Sequence, residues 1–334
     1  MHPVVKVLLD RARKGSLPGK RDDGFKVGLA IEGGSLRGVV SAGMVTALEA
    51  LGLVNVFDVV YGTSAGAING AYFLSGQAAF GTTIYYENIN SNRFVDVRRV
   101  LTARPIVSLD YVFNEVLPKE KVLDWEAVLN SSVPLMAMAS SVSLQQPIAL
   151  GDFSNREELF TALRASSQMP GVTGPPVSFR GDLFFDGSIY ESVPYAAAIK
   201  GGCTHILALL TRPAKCNVGN GSRSDEYLIG PWMRKYSPAM AKDIVQQRAG
   251  YLVHLARLQE GTAQPSTEPF ICAIATPEGS PVVDRLEKNR QRLVSGAVLG
   301  ASAIFDAFLA RPYKVLESLS VFNGSGHKPI LLVD

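Results

Sequence analysis

A ten-residue stretch, Val59-Val60-Tyr61-Gly62-Thr63-Ser64-Ala65-Gly66-Ala67-Ile68, limits what this chain can fold into more than any other part of it. An apolar run breaks into Gly-x-Ser-x-Gly and resumes with small residues at helical spacing. That pattern predicts a buried strand, a sharp turn, and a helix whose free N–H groups and positive dipole end face the turn. The turn strains its central residue and lifts the hydroxyl to the sheet edge, and Gly62 and Gly66 keep Cβ atoms off the neighbouring backbone. The bare pentapeptide is equally a glycine-rich turn. Its setting, between Phe57-Asp58-Val59-Val60-Tyr61 and the helix-like Ala65–Leu74, favours Ser64 as a nucleophile.

One strand-helix unit upstream, Lys26-Val27-Gly28-Leu29-Ala30-Ile31 reads as a first buried strand. It runs into Glu32-Gly33-Gly34-Ser35-Leu36-Arg37-Gly38 and then a helix over 39–51. A dinucleotide-binding loop needs Gly-x-Gly-x-x-Gly, and Ser35 occupies its middle glycine position; a phosphate loop needs Gly-Lys-Ser/Thr, which is missing. The remaining reading is an oxyanion hole, with the N–H groups of Gly33 and Gly34, joined by Ser35, aimed at a developing negative charge. A right-handed crossover brings loops after successive parallel strands to one carboxyl edge, so both loops are expected to face one cavity.

Downstream, helical spacing is expected over 84–94, 108–117 and 155–167, a loop over 97–107, and, led into by 125–130, a strand at 133–139 pairing with 141–150 as a hairpin. Gly181-Asp182-Leu183-Phe184-Phe185-Asp186-Gly187-Ser188-Ile189 is a short apolar strand entering a turn. Asp186-Gly187 is ordinarily just a tight turn; beside a serine nucleophile, an aspartate at a strand end is a candidate base. A helix over Tyr195–Lys200 and a strand at 205–210 continue the alternation. A polar loop over 216–231, a long helix over 241–259 and a late strand at 270–275 follow.

Two schemes for activating Ser64 stay open at this point. A Ser-His-Asp triad needs a histidine downstream. Of His205, His254 and His327, the last fits best, since it lies in a terminal Gly-Ser-Gly-His loop. In the competing dyad, Asp186 accepts the serine proton directly.

These motifs, in this order, resemble the patatin-like phospholipase family of lipid acyl hydrolases over residues 27–210. Gly33-Gly34-Ser35-Leu36-Arg37-Gly38 is similar to the family's oxyanion loop, and Gly62-Thr63-Ser64-Ala65-Gly66 to its nucleophile elbow. Asp186-Gly187-Ser188 is similar to the site of its dyad aspartate; Ala165-Ser166 with Pro170, and Val193-Pro194, also resemble family positions. Two departures stand out: Ser35 replaces a glycine and restricts the backbone, and Ser188 replaces Gly or Ala. The resemblance implies a three-layer α/β/α sandwich with a mainly parallel sheet, no metal or other cofactor, and hydrolysis of fatty acyl esters through an acyl-serine on a Ser64–Asp186 dyad. Acyl transfer to another acceptor, a Ser-His-Asp esterase, and a silent lipid-binding protein are the alternatives. Arg37 is read as a structural ion-pair residue in preference to a lipid-phosphate contact.

Composition sets outer bounds. With 47% hydrophobic and 19% charged residues the chain can bury a large core, and a net charge of +3 without a basic block gives no reason to expect nucleic acid, though it suits an anionic lipid surface. Cys203, Cys216 and Cys272 suggest neither a disulfide framework nor a zinc site, so a reducing, cytoplasmic setting is expected, with peripheral contact to a membrane. The uncharged stretch 59–86 and the apolar stretch 293–310 are read as core and not as membrane spans. The opening residues do not read as a secretory signal. Residues 1–25 are expected to be an N-terminal extension and 26–334 a single catalytic domain, with 215–262 a candidate lid or docking insertion. Within it, 228–240 combines Trp232 and Tyr236 with Arg234 and Lys235.

Overall fold

Val27-Gly28-Leu29-Ala30-Ile31 is buried along its whole length, as only a strand covered by helices on both faces can be. Its alternate residues part company: Val27, Leu29 and Ile31 enter one apolar cluster and Ala30 the other. The same division holds for Val60 against Val59 and Tyr61, and for Leu207 and Leu209 against Ile206 and Ala208. Period-two burial into two cores is the signature of a three-layer α/β/α arrangement, and this is the fold of the computed structural model, which describes residues 1–102, 104–216 and 223–309.

Eight strands are present among the described residues: β1 (Val27–Ile31), β2 (Val59–Thr63), β3 (Leu135–Ser141), β4 (Pro147–Leu150), β5 (Val177–Phe179), β6 (Asp182–Asp186), β7 (His205–Leu209) and β8 (Phe270–Ile274). They lie in the order β5-β6-β3-β2-β1-β7-β8, with β4 also on β3. β3, β2, β1, β7 and β8 are parallel, and β4, β5 and β6 join antiparallel. The hairpin expected after β3 forms as β3–β4, and the 155–167 helix forms as Arg156–Ser166, capped by the Asn155 side chain on the Glu158 N–H.

Neither apolar stretch suspected of spanning a membrane is free to do so. Residues 59–86 contain β2, the turn at Ser64 and the buried helix Ala65–Leu74. Helix Arg290–Leu309 has the length and apolarity to cross a bilayer, yet it packs face to face on helix Val39–Ala50. A Cβ on Gly43 would stand 2.0 Å from the Ala297 carbonyl oxygen, and one on Gly300 2.1 Å from that of Val40.

Residues 1–25 are built into this core. Helix Pro3–Arg13 buries Val4, Val5, Leu8 and Leu9. The Arg11 guanidinium, 2% exposed, donates to Asp23 at 2.7 Å, to Asp58 at 2.8 Å and to the Val56 and Phe25 carbonyls. The 215–262 stretch has an architectural role as well, because parallel β7 and β8 need a crossover, and helices Arg223–Tyr236 and Pro238–Ala263 lie in it.

Three local expectations are corrected. Helix 84–94 stops at Ile84–Glu87, where Asn88, Asn90, Ser91 and Asn92 offer the backbone competing side-chain bonds. The 97–107 loop contains a 3₁₀ segment, Val97–Thr102, closed off by a Val95–Val107 bridge. The loop expected over 216–231 becomes helical from Arg223 despite Gly230-Pro231, because Ile229 and Met233 bury against Phe185 and Ile189; tertiary packing overrides propensity there.

Candidate active site

The register of the sheet places the site. β1 and β2 pair in parallel with Ile31 opposite Gly62, so the loops that follow them emerge side by side at one edge. They touch closely. A Cβ on Gly33 would stand 2.2 Å from the Thr63 carbonyl oxygen and 2.9 Å from the Ser64 Cβ, and one on Gly66 2.3 Å from the Ile31 carbonyl oxygen. Gly62 packs as tightly on Ala67, and Gly38 on Ala65 and the Tyr85 hydroxyl.

Ser64 has φ 56° and ψ −127°, a sparsely populated positive-φ conformation outside the left-handed helical well that costs a non-glycine residue about 1 to 3 kcal/mol. Its backbone N–H donates to the Ser166 Oγ at 2.9 Å, which holds the strained turn in place. Gly34 and Ser35 also have positive φ, 139° and 55°. The departure at Ser35 therefore puts a side chain where a positive φ favours glycine. Among the described residues the N–H groups of Gly33, Gly34 and Ser35 donate to no protein acceptor. All three residues line the cavity that contains Ser64.

Asp186 reaches the same cavity from the antiparallel edge. β3 pairs Met138 with Thr63 and Ala139 with Asp186, which leaves one strand between the aspartate and the elbow. The chain then turns at Gly187, pressed against the Met138 carbonyl, where a Cβ would come within 2.4 Å. Asp186 is 3% exposed. Burial pushes its carboxyl pKa up, against the opposing effects of the Ser188 N–H, which it accepts at 2.8 Å, the Ser64 hydroxyl, and the positive charge of Arg285.

Arg37 lies beneath the loop, 5% exposed, with Nε donating to Thr211 Oγ1 at 3.0 Å and its guanidinium against Gly34. Burial lowers its pKa to about 10. Thr211 Oγ1 also donates to the Gly33 carbonyl at 3.2 Å, and its N–H donates to Glu32 at 2.6 Å, whose other oxygen accepts the Tyr251 hydroxyl at 2.8 Å. Sequence reading missed Glu32, Thr211 and Tyr251 as supports of this loop. A carboxylate directly after an apolar strand was the one signal available, at Glu32.

The cavity holds about 750 Å³. Much of its wall is apolar, with Ile68, Ile89, Leu109, Val112, Met169 and Val172 among the lining residues. No histidine lines it among the described residues. His205 is wedged between Phe25 and Phe270 at the opposite, amino end of β7, and His254 is engaged by the Tyr195 hydroxyl at 2.6 Å. His327 lies outside the described residues. Among those described, no group of three or more His, Cys, Asp or Glu could hold a metal ion.

A family model described as patatin-like phospholipase matches residues 29–199, over half of the chain, including Gly33, Gly34, Ser35, Ser64 and Asp186. The chain belongs to the patatin-like phospholipase family. Its relatives include the Escherichia coli protein designated "Uncharacterized protein YjjU", 26% identical over 192 residues that make up 57% of this chain and 53% of that one. The lysophospholipase NTE1 of Candida albicans is 26% identical over 187 residues, 55% of this chain and 13% of that protein. The patatin-like chain thus spans about half the length of the first relative and a small part of the second. VipD from Legionella pneumophila overlays with a TM-score of 0.37 at 10% identity, covering 85% of this chain and 67% of that one, too loosely to carry an argument.

Proposed function

We propose that this protein hydrolyses fatty acyl esters of lipids through an acyl-serine intermediate. The observation that carries the reading is the convergence of a strained Ser64, a buried Asp186 and three unpaired loop N–H groups on one apolar-walled cavity. As the Ser64 Oγ attacks the ester carbonyl carbon, Asp186 takes its proton, and the N–H groups of Gly33 and Gly34, with Ser35, receive the oxyanion. A donor of this kind is worth about 3 to 4 kcal/mol in other enzymes. Collapse of the tetrahedral intermediate breaks the bond to the alcohol, which leaves with the proton from Asp186. Water then attacks the acyl-serine, giving its proton to Asp186, and Ser64 departs reprotonated as the fatty acid is released. The raised pKa of Asp186 suits a base that must also return its proton. Family membership and the lysophospholipase relative support the substrate class.

The same proposal places the enzyme in the cytoplasm at a lipid surface. Three free cysteines suit a reducing compartment. Trp232, 42% exposed, lies with exposed Arg234 and Lys235 on the outer side of a helix whose Ile229 borders the cavity. The test is a panel of phospholipid, lysophospholipid, triacylglycerol and thioester, with product identification, for the wild-type protein, Ser64→Ala and Asp186→Asn. Ester hydrolysis by the wild type and its loss in both variants is expected; full activity in either purified variant would end the dyad reading.

A further inference from the structure

A buried carboxylate stands at the start of the loop whose N–H groups face Ser64. Glu32 is 1% exposed, and its two oxygens accept the Thr211 N–H at 2.6 Å and the Tyr251 hydroxyl at 2.8 Å. A carboxylate withdrawn from water depends on such donors, because each one lost leaves part of the charge uncompensated. The two donors are of different kinds. The Thr211 N–H is a backbone group fixed by the sheet, where the Glu32 N–H donates to the Leu209 carbonyl at 3.1 Å. The Tyr251 hydroxyl is a side chain from helix Pro238–Ala263, 219 residues away. Burial raises the phenol pKa of Tyr251 and the Glu32 charge raises it further, so the hydroxyl keeps the proton it donates.

What Glu32 holds is passed to the loop by two routes. Thr211 donates through Oγ1 to the Gly33 carbonyl at 3.2 Å and accepts Arg37 Nε at 3.0 Å. Arg37, whose charge Glu32 sustains against burial, lies against Gly34, where a Cβ would stand 2.9 Å from Nη2. Gly33 and Gly34 thus take their positions from groups tied to one carboxylate. Without the Tyr251 hydroxyl, one Glu32 oxygen has no donor, and the Arg37 cation is drawn toward it, away from Gly34 and Thr211.

We infer that Tyr251 is a positioning residue for the reaction: acting through Glu32, its hydroxyl holds the Gly33 and Gly34 N–H groups where the oxyanion forms. The inference rests on reading that loop as the oxyanion hole. Glu32 lies within residues 29–199, while Thr211 and Tyr251 lie beyond them. A helix outside the region that matches the family model therefore sets a loop inside it.

The test compares Tyr251→Phe, which keeps the ring beneath the Arg212 guanidinium, with Tyr195→Phe. The Tyr195 hydroxyl meets His254 Nδ1 at 2.6 Å, three residues along the same helix, so each substitution removes one hydroxyl bond to that helix and only the first touches Glu32. On a monomeric short-chain ester, kcat is expected to fall about tenfold or more in Tyr251→Phe with KM nearly unchanged, and to stay within about twofold in Tyr195→Phe. In a Glu32→Gln background, Tyr251→Phe should cost less than about twofold further, since residues acting through one another are not additive. Hydrogen exchange reads the loop without turnover. The Leu36 and Arg37 amides, bonded to the Arg285 and Gly34 carbonyls at 3.2 Å, are expected to exchange about tenfold faster in Tyr251→Phe and not in Tyr195→Phe. Equal effects of the two substitutions, a change confined to KM, full additivity with Glu32→Gln, or unchanged exchange in Tyr251→Phe would each overturn the inference. A wild-type protein that hydrolyses no ester, with loop exchange still answering to Tyr251→Phe alone, would sink the hydrolase reading and leave the bracing of the loop by Tyr251 supported.

Discussion

The Ser166 Oγ accepts the backbone N–H of Ser64 at 2.9 Å, tying the last turn of helix Arg156–Ser166 to the elbow across 102 residues of sequence. Ser166 is fully buried, so no water stands ready to replace its hydroxyl. In Ser166→Ala the Ser64 N–H loses its acceptor, which costs about 1 to 3 kcal/mol, and the strained φ of Ser64 loses its restraint. Urea unfolding is expected to show a drop of that size. The rate of labelling by a fluorophosphonate should fall with it, since the hydroxyl is no longer held in line.

The pH dependence follows from Asp186. Its carboxyl pKa is raised above the ordinary 3.8, first by burial, so the base form needed to take the Ser64 proton is lost on acidification at a higher pH than for a solvated aspartate. The acid limb of kcat/KM is expected to report that elevated value. For stability the sign is opposite to that of a salt-bridged aspartate: the folded protein holds the proton more tightly than the unfolded chain. The contribution of Asp186 is thus complete below 3.8 and lost as pH rises through its folded pKa. Asp186→Asn keeps an acceptor for the Ser188 N–H and removes the buried charge. It should abolish turnover while making the protein more stable than wild type at neutral pH, as read by thermal unfolding.

Glu49 gives an independent check of the same sign. Its carboxylate accepts the Ala78 N–H at 2.9 Å, and burial raises its pKa from 4.5 to about 7. Its stabilising contribution is present below 4.5 and disappears as pH passes through about 7. Glu49→Gln retains the acceptor for Ala78 and removes the ionisation. The wild-type Tm should therefore fall relative to that of Glu49→Gln between pH 5 and pH 8; parallel curves would refute the assignment.

How much of this was legible depended on sequence distance. β1, the glycine loop, β2 and the elbow were readable because each signal is local: short apolar runs, their break into glycine-rich loops, and small residues at helical spacing. Asp186 was readable as a candidate only because a serine already needed a base, and its approach to Ser64 depends on an antiparallel pairing with β3 that no local pattern announces. The braces of the oxyanion loop were not legible. Thr211 meets Glu32 across 179 residues and Tyr251 meets it across 219, and a threonine after a strand or a tyrosine on a long helix looks the same whether or not it has such a partner.

Gly33 offers the sharpest test of the oxyanion loop. A methyl there would overlap the Thr63 carbonyl oxygen at 2.2 Å, a backbone atom that cannot swing aside. Gly33→Ala must therefore push the loop away from the elbow, moving its N–H groups off the position where the oxyanion forms. A loss of kcat of about 10²- to 10³-fold is expected, the scale of removing one such donor, with KM changed far less because the apolar walls are untouched.

The rim of the cavity predicts how the enzyme meets its substrate. Phe94, Ile106 and Val107 line the cavity, and the chain between them leaves it at the Val95–Val107 bridge to expose Val97, Val100 and Leu101 beside Arg98, Arg99 and Arg104; Leu101 is 86% exposed. Exposed Val282 and Leu286 line the same cavity, and Lys288 Nζ, two residues on, donates to Asn92 at 2.7 Å. Apolar side chains interleaved with cations at a cavity mouth suit insertion into an anionic interface, where burying a residue such as leucine is worth about 1.5 to 3 kcal/mol. Replacing both Val100 and Leu101 by Asp should weaken binding to anionic vesicles by about tenfold or more. Hydrolysis of vesicle lipid should fall much further than hydrolysis of a monomeric short-chain ester, because the latter reaches Ser64 from solution. Equal losses on both substrates would mean that the double substitution had damaged the cavity and that the lipid surface is met elsewhere, with the Trp232 side of the molecule next in line.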